Sequence, residues 1–236
     1  MRLDFSGERV LAVVAHPDDA ELLCAGTLAR ARRDGAAIGI CVLCQGEKGQ
    51  PASRIEQLGE VRRQEMAAAA ELLGAELHWG GFPDGELYDG PDGRAALLIV
   101  YRIFRPTLIL AHSVEDYHPD HRAAGVLAEA ASWFAASPGH RPFEPPLPIQ
   151  PALWWLDVVN LAGPAPHFFI DVEEFVNLKH RMLRCHASQL RRSVDTAFQP
   201  LEELMERQYR MRGAQSGVRA AEAFRHHAAW KRTRSW

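Results

Sequence analysis

Short apolar runs that stop at polar clusters, alternating with helix-length segments, constrain this chain more than any other feature. Arg9 to Ala15 (RVLAVVA) has the Val-rich look of a strand buried on both faces. From Ala20 to Arg33 apolar residues recur at helical spacing (Leu22, Leu23, Ala25, Leu28, Ala31) until Gly35 ends the pattern. Further strands fit Ala37–Leu43, Glu76–Trp79 and Thr107–Ala111 (TLILA), and helices fit Glu56–Leu73, Ala95–Phe104 and Asp120–Phe134. Strands separated by such segments form βαβ units, and these build a parallel sheet covered on both faces.

Ser137 to Pro151 holds six prolines, too many for regular structure, and reads as a long surface loop. Beyond it, Ala152–Leu156 and His167–Ile170 read as strands, and Val172–Gln189 and Leu201–Met211 as helices. The expectation is one α/β domain over residues 1–236. It has three α/β/α layers around a mostly parallel, Rossmann-like sheet, with C-terminal helices over about 172–236.

Composition excludes several classes of function. With 47% hydrophobic and 24% charged residues the chain is globular, and a net charge of −3 gives no reason to expect DNA or a membrane surface as partner. Arg207 to Trp236 is locally basic, but aromatics do not interleave with its charges as nucleic-acid stacking requires. No apolar run reaches membrane-spanning length, the N-terminus lacks a signal-peptide pattern, and four cysteines make no disulfide framework. A cytoplasmic protein is expected. Cys41 and Cys44 have CxxC spacing, but within a strand they should face opposite ways as buried thiols. No Gly-rich turn follows the first strand, which disfavours a dinucleotide site.

Ligands bind an open parallel sheet at the carboxyl ends of its strands. Two polar clusters fall there: His16-Pro17-Asp18-Asp19-Ala20-Glu21 after the first strand, and His112 to His121, ending His118-Pro119-Asp120-His121, after TLILA. His16 and Asp19, three apart at a strand-to-helix turn, can point at one ion, with His121 as a third ligand. Asp18 cannot share their direction, yet stays within reach of a water that the metal would acidify. Asp120 can fix the tautomer of a neighbouring histidine. Each cluster alone also reads as a helix cap; both falling after buried strands of one sheet argues for chemistry.

AHPDDAE together with HPDH resembles the metal-dependent de-N-acetylase family named after the LmbE and PIG-L proteins. The resemblance extends through Gly46-Glu47, Arg62 to Glu65, GFPDG at Gly81 to Gly85, His186 to Gln189 and Ala221 to Phe224. It implies that His16, Asp19 and His121 bind zinc, with ferrous iron as an alternative, and that Asp18 is the general base. A cationic His118 would stabilise the oxyanion or protonate the leaving amine, with Asp120 as its partner. Arg62 would bind a substrate hydroxyl, and Glu47, Asp84 and Asp116 would join it at the substrate. Asp116 stands where the mycothiol branch carries a tyrosine, which argues against a mycothiol-type substrate.

The resemblance thus implies a zinc-dependent hydrolase that removes acetyl from an N-acetylglucosamine-type conjugate, a small amino-sugar molecule. Rival readings are an amidase for a natural-product or antibiotic intermediate and a catalytically silent carbohydrate-binding homologue. A homo-oligomer is also expected. Trp154-Trp155 read as core before pocket lining, and His78, His140, His167, His180 and the His226-His227 pair as structural or solvated.

Overall fold

The computed structural model describes residues 4–140, 145–192 and 200–229. Seven strands form one sheet in the order β3-β2-β1-β4-β5-β7-β6. Strands β1 (Arg9–Val14), β2 (Ala37–Cys44), β3 (Glu76–Phe82), β4 (Leu108–Ala111) and β5 (Ala152–Leu156) are mutually parallel. The chain runs outward from β1 to β3 on one side, then returns to lay β4 against the other edge of β1. That reversal opens a crevice at the carboxyl ends of β1 and β4.

Alternation along β1 serves two cores. Val10, Ala12 and Val14 pack with α2 (Ala25–Arg33), α3 (Leu58–Leu73) and α6 (Val176–Leu183); Leu11, Val13 and Ala15 pack with α4 (Pro91–Phe104) and α5 (Pro119–Phe134). The three-layer arrangement follows. Trp154 and Trp155 point into opposite cores and are buried.

Three expectations need correction. The helix expected over Ala20–Arg33 is two: α1 (Asp19–Leu23) ends at Cys24, whose φ of −148° and ψ of 4° break the spiral before α2. The break frees the first amides of α2, and Gly26 and Thr27 donate to the Glu222 carboxylate at 2.9 and 2.7 Å. Gly26 is required there, since a Cβ would overlap Val172.

The C-terminal extension is not wholly helical. A 3-10 turn (Glu173–Phe175), α6, α7 (Ala187–Arg192) and α8 (Leu201–Ser216) lead into β7 (Ala221–His226). This strand inserts antiparallel between β5 and β6 (Phe168–Asp171). Residues 230–236 of the basic tail, and 141–144 of the Pro-rich loop, lie outside the described residues.

Cys41 and Cys44 are both buried free thiols, but they pack into the same core. The pairing of β2 with β3 shifts register between Val42 and Cys44, which undoes the expected alternation.

Candidate metal centre and active site

The turn after β1 is strained. Asp18 sits at φ 101°, a conformation that costs a non-glycine residue about 1–3 kcal/mol and persists only where its surroundings impose it. Arg62 of α3 is one such constraint. Its buried guanidinium donates to Asp18 Oδ2 at 3.0 Å, to the Gly46 carbonyl at 3.0 Å and to the Pro17 carbonyl. Gly46, at φ 70°, has no room for a Cβ against that guanidinium. Burial raises Asp18 to a pKa of about 6, with Arg62 opposing the rise and Asp19 adding to it.

Asp19 lies among three imidazoles. Its Oδ2 accepts the His16 amide at 2.8 Å and stands 3.5 Å from His16 Nδ1, while Oδ1 stands 3.4 Å from His121 Nε2. His112 Nε2 lies 3.1 Å from Oδ2. Burial alone would push the Asp19 carboxyl up; His121 and His112 hold it well below the usual range instead.

Each candidate histidine ligand is held from behind. His16 Nε2 faces Asp84 Oδ1 at 2.8 Å and Asp120 Oδ2 at 3.1 Å, which puts its hydrogen on Nε2 and leaves Nδ1 turned to Asp19. His121 Nδ1 faces Asp116 Oδ1 at 3.1 Å, leaving Nε2 toward the same carboxylate. Burial lowers both histidines, but the surrounding aspartates win: His16 is raised well above its ordinary value and His121 to about 9. Two buried rings flanked by four carboxylates call for positive charge at this point.

The donor set fits a divalent metal. Two imidazoles and a carboxylate are the donor types that divalent metals take, and the Asp19 carboxylate reaches both rings, one oxygen 3.5 Å from His16 Nδ1 and the other 3.4 Å from His121 Nε2. Among the described residues, ligand atoms close enough to hold an ion form three groups, His16–His118–His121, His16–Cys44–Asp84–Asp120 and Asp19–His112–His121. The expected trio His16, Asp19 and His121 is thus divided between them and not brought together as one group.

Several expected roles shift. Asp120 was expected to partner His118, but its carboxylate lies on His16 and on the Gly85 amide at 2.8 Å. Only its own amide reaches His118, donating to Nδ1 at 3.2 Å. His118 is thereby held with its hydrogen on Nε2. Burial and the neighbouring His121 and His16 lower its pKa, against Asp19 and Asp120, which favours the neutral ring over the expected cation.

Of the four residues expected at the substrate, Arg62 and Asp84 line the cavity but are engaged with Asp18 and His16. Asp116 sits buried behind His121, and Glu47 accepts the Asp84 amide through both oxygens at 3.1 Å. His112, part of the second cluster but given no role by the sequence, is fully buried at Asp19. Tyr117, half exposed at the cavity rim, was also unassigned; only its place beside His118 pointed to it.

His16, Asp18, Asp19, His118, Asp120 and His121 line a cavity of about 300 Å³, whereas Glu47, His112 and Asp116 lie behind it. Leu22, Val159, Leu201 and Leu204 form an apolar wall, and Lys48 and Arg192 stand at its rim. The motif residues outside the centre brace it: Ser188 bonds both oxygens of Glu65 through its amide and hydroxyl, at 2.8 and 2.6 Å, and Gln189 donates to the Gly49 carbonyl.

The family model for GlcNAc-PI de-N-acetylase (PIG-L) matches residues 11–132, which include both histidine–aspartate motifs. The chain belongs to the PIG-L family. A diacetylchitobiose deacetylase of Thermococcus kodakarensis is 28% identical over 228 residues, covering 92% of this chain and 82% of that one. A 4-oxalmesaconate hydratase of Pseudomonas putida is 31% identical over 198 residues, covering 76% and 73%. A conserved protein of Thermus thermophilus, solved by crystallography, superposes with a TM-score of 0.81 at 32% identity, covering 97% of both chains. PIG-L relatives of this chain thus include deacetylases of GlcNAc-type compounds, and the mostly parallel α/β fold is shared with solved structures. No helix among the described residues is long and apolar enough to cross a membrane.

Proposed function

We propose that this PIG-L protein is a metal-dependent hydrolase that removes the acetyl group from an N-acetylglucosamine-type conjugate. The observation that carries the reading is the placement of Asp18. It is a buried carboxylate raised to about 6, beside but not within the His16–Asp19–His121 donor set, at the floor of the same cavity. A base of that pKa is ionised at neutral pH and still accepts a proton readily.

His16, Asp19 and His121 would hold the ion; zinc suits two nitrogens and one oxygen, and ferrous iron is also accommodated. Such an ion, when bound, polarises a carbonyl and lowers the pKa of water. Asp18 takes the proton of the water attacking the acetamide carbon. His118, neutral and anchored through Nδ1, donates its Nε2 hydrogen to the carbonyl oxygen as charge develops there. The proton held by Asp18 then passes to the departing nitrogen, the C–N bond breaks, and acetic acid and a free amine leave. The acid gives up water's second proton to the amine or to solvent to become acetate. The apolar wall of Leu22, Val159, Leu201 and Leu204 suits the carbon face of a sugar or its substituent.

A second reading, hydration of an unsaturated polycarboxylic acid, draws on the likeness to the Pseudomonas hydratase. The four aspartates of the cavity lining are matched by Lys48, Arg62, Arg192 and the raised His16 and His121, so charge does not separate the two readings. The apolar wall of Leu22, Val159, Leu201 and Leu204 is what favours a sugar over a polyanion. The deciding experiment offers purified protein a panel of N-acetyl sugars, an acylated natural-product amine and an oxalmesaconate-type acid, with and without chelator. Chelator-sensitive acetate release supports the proposal. Turnover of the acid alone, or sugar binding without turnover, rejects it.

A further inference from the structure

His112 follows β4 directly and is fully buried, yet neither the sequence nor the reaction uses it. Its Nε2 lies 3.1 Å from Asp19 Oδ2, and its ring lies flat on His121, centroids 3.9 Å apart and planes 13° from parallel. One side chain therefore touches two of the three residues of the donor set. Its backbone is equally fixed, because α5 passes so close that a Cβ at Gly125 would overlap the His112 carbonyl oxygen.

The chemistry of the contact fixes the tautomer. A carboxylate accepts and cannot donate, so the hydrogen sits on Nε2 and that nitrogen has no lone pair for a metal. Nδ1 has no hydrogen-bond partner among the described residues. We propose that His112 is a positioning residue for the metal: it orients the Asp19 carboxylate by hydrogen bonding and the His121 ring by stacking, without ligating the ion. The proposal rests on the metal-dependent reading above. It departs from the alternative that Asp19, His112 and His121, whose ligand atoms lie within 4.8 Å of one another, hold the ion together.

The test measures metal affinity rather than turnover. Zinc is titrated against a competing chelator, and the visible spectrum of the cobalt-substituted protein reports the ligand set. His112→Phe keeps the stacked ring and removes the donor; its zinc affinity should fall about 10–100-fold, as for other groups that orient metal ligands. Its cobalt spectrum should keep the wild-type pattern. His112→Gln places an amide donor near the position of Nε2 and should restore most of the affinity.

Unchanged melting temperatures of the metal-free proteins would locate the loss at the metal centre. If His112→Phe does not fold, His112→Asn, too short to reach Asp19, should show the same loss of affinity. Wild-type affinity in either donor-free variant overturns the proposal. So does a cobalt spectrum in the His112→Phe protein like that of His121→Ala, which would make His112 a ligand. A wild-type protein that binds no stoichiometric metal removes the metal reading itself, whereas an unaffected variant of a metal-binding wild type removes only the role of His112.

Discussion

The guanidinium of Arg62 lies 3.0 Å from Oδ2 of Asp18, and both side chains are buried. The arginine expected at a substrate hydroxyl thus also holds the proposed base. Arg62 is the strongest influence lowering the Asp18 pKa against burial. Replacing it by methionine leaves burial and the Asp19 charge without that opposition, so the Asp18 pKa rises. The acidic limb of kcat/KM should then move to higher pH than in wild type, with activity at neutral pH reduced. A limb that stays in place or moves down would separate Asp18 from the rate profile.

Asp18 and Asp19 are neighbours with different expected losses. Asp18→Asn keeps the shape of the side chain and cannot accept a proton, so metal content should stay near wild type while turnover drops by about 10²–10⁴. Asp19→Asn exchanges an anionic ligand for a neutral one and should lose metal instead. Elemental analysis paired with acetate release reads both outcomes. Loss of metal in the first variant and retention in the second would reverse the assignment.

Parts of this centre were legible because they are local. His16, Asp18 and Asp19 announce themselves within four positions, as do His118, Asp120 and His121, and each follows an apolar run that ends at the sheet edge. The two clusters meet because β1 and β4 are neighbours, a pairing that the alternation of strands and helices suggests. What escaped is carried by distant partners. Nothing near Asp84 or Asp120 says that both will close on His16, and the break at Cys24 depends on a carboxylate about 195 residues away. The short run Ala221–His226 has little strand pattern of its own and becomes β7 because β5 and β6 accept it from both sides.

His186 and Glu21, both fully buried, face each other at 3.3 Å. Burial lowers the His186 pKa, but the charge and hydrogen bond of Glu21 together with the charge of Asp18 outweigh it and the net shift is upward. A histidine whose folded pKa exceeds its unfolded value binds more protons when folded. Its contribution to stability is complete below about pH 6.5 and disappears as pH rises through the folded pKa. Wild-type melting temperature should therefore carry a component that falls over that window. In His186→Gln this component should be absent, so that the difference between the two proteins narrows with rising pH. A difference that is flat or widens would contradict the charge assignment.

Glu222 makes a connection that spans most of the chain. From β7 it accepts the Gly26 and Thr27 amides at the start of α2 and pairs with Lys179 of α6, whose ammonium is fully buried. One carboxylate thus satisfies a helix N-terminus, neutralises a buried cation and fastens β7 to the helical layer of α2 and α6. Glu222→Gln leaves the Lys179 charge without its partner, and loss of one member of a buried pair costs about 3–5 kcal/mol. Lys179→Met added to Glu222→Gln removes the stranded charge, so the double variant should be more stable than Glu222→Gln alone. Urea unfolding of the four proteins gives the coupling directly. Additive losses would mean that the two side chains act independently and that the Lys179–Glu222 contact does not hold β7 in place.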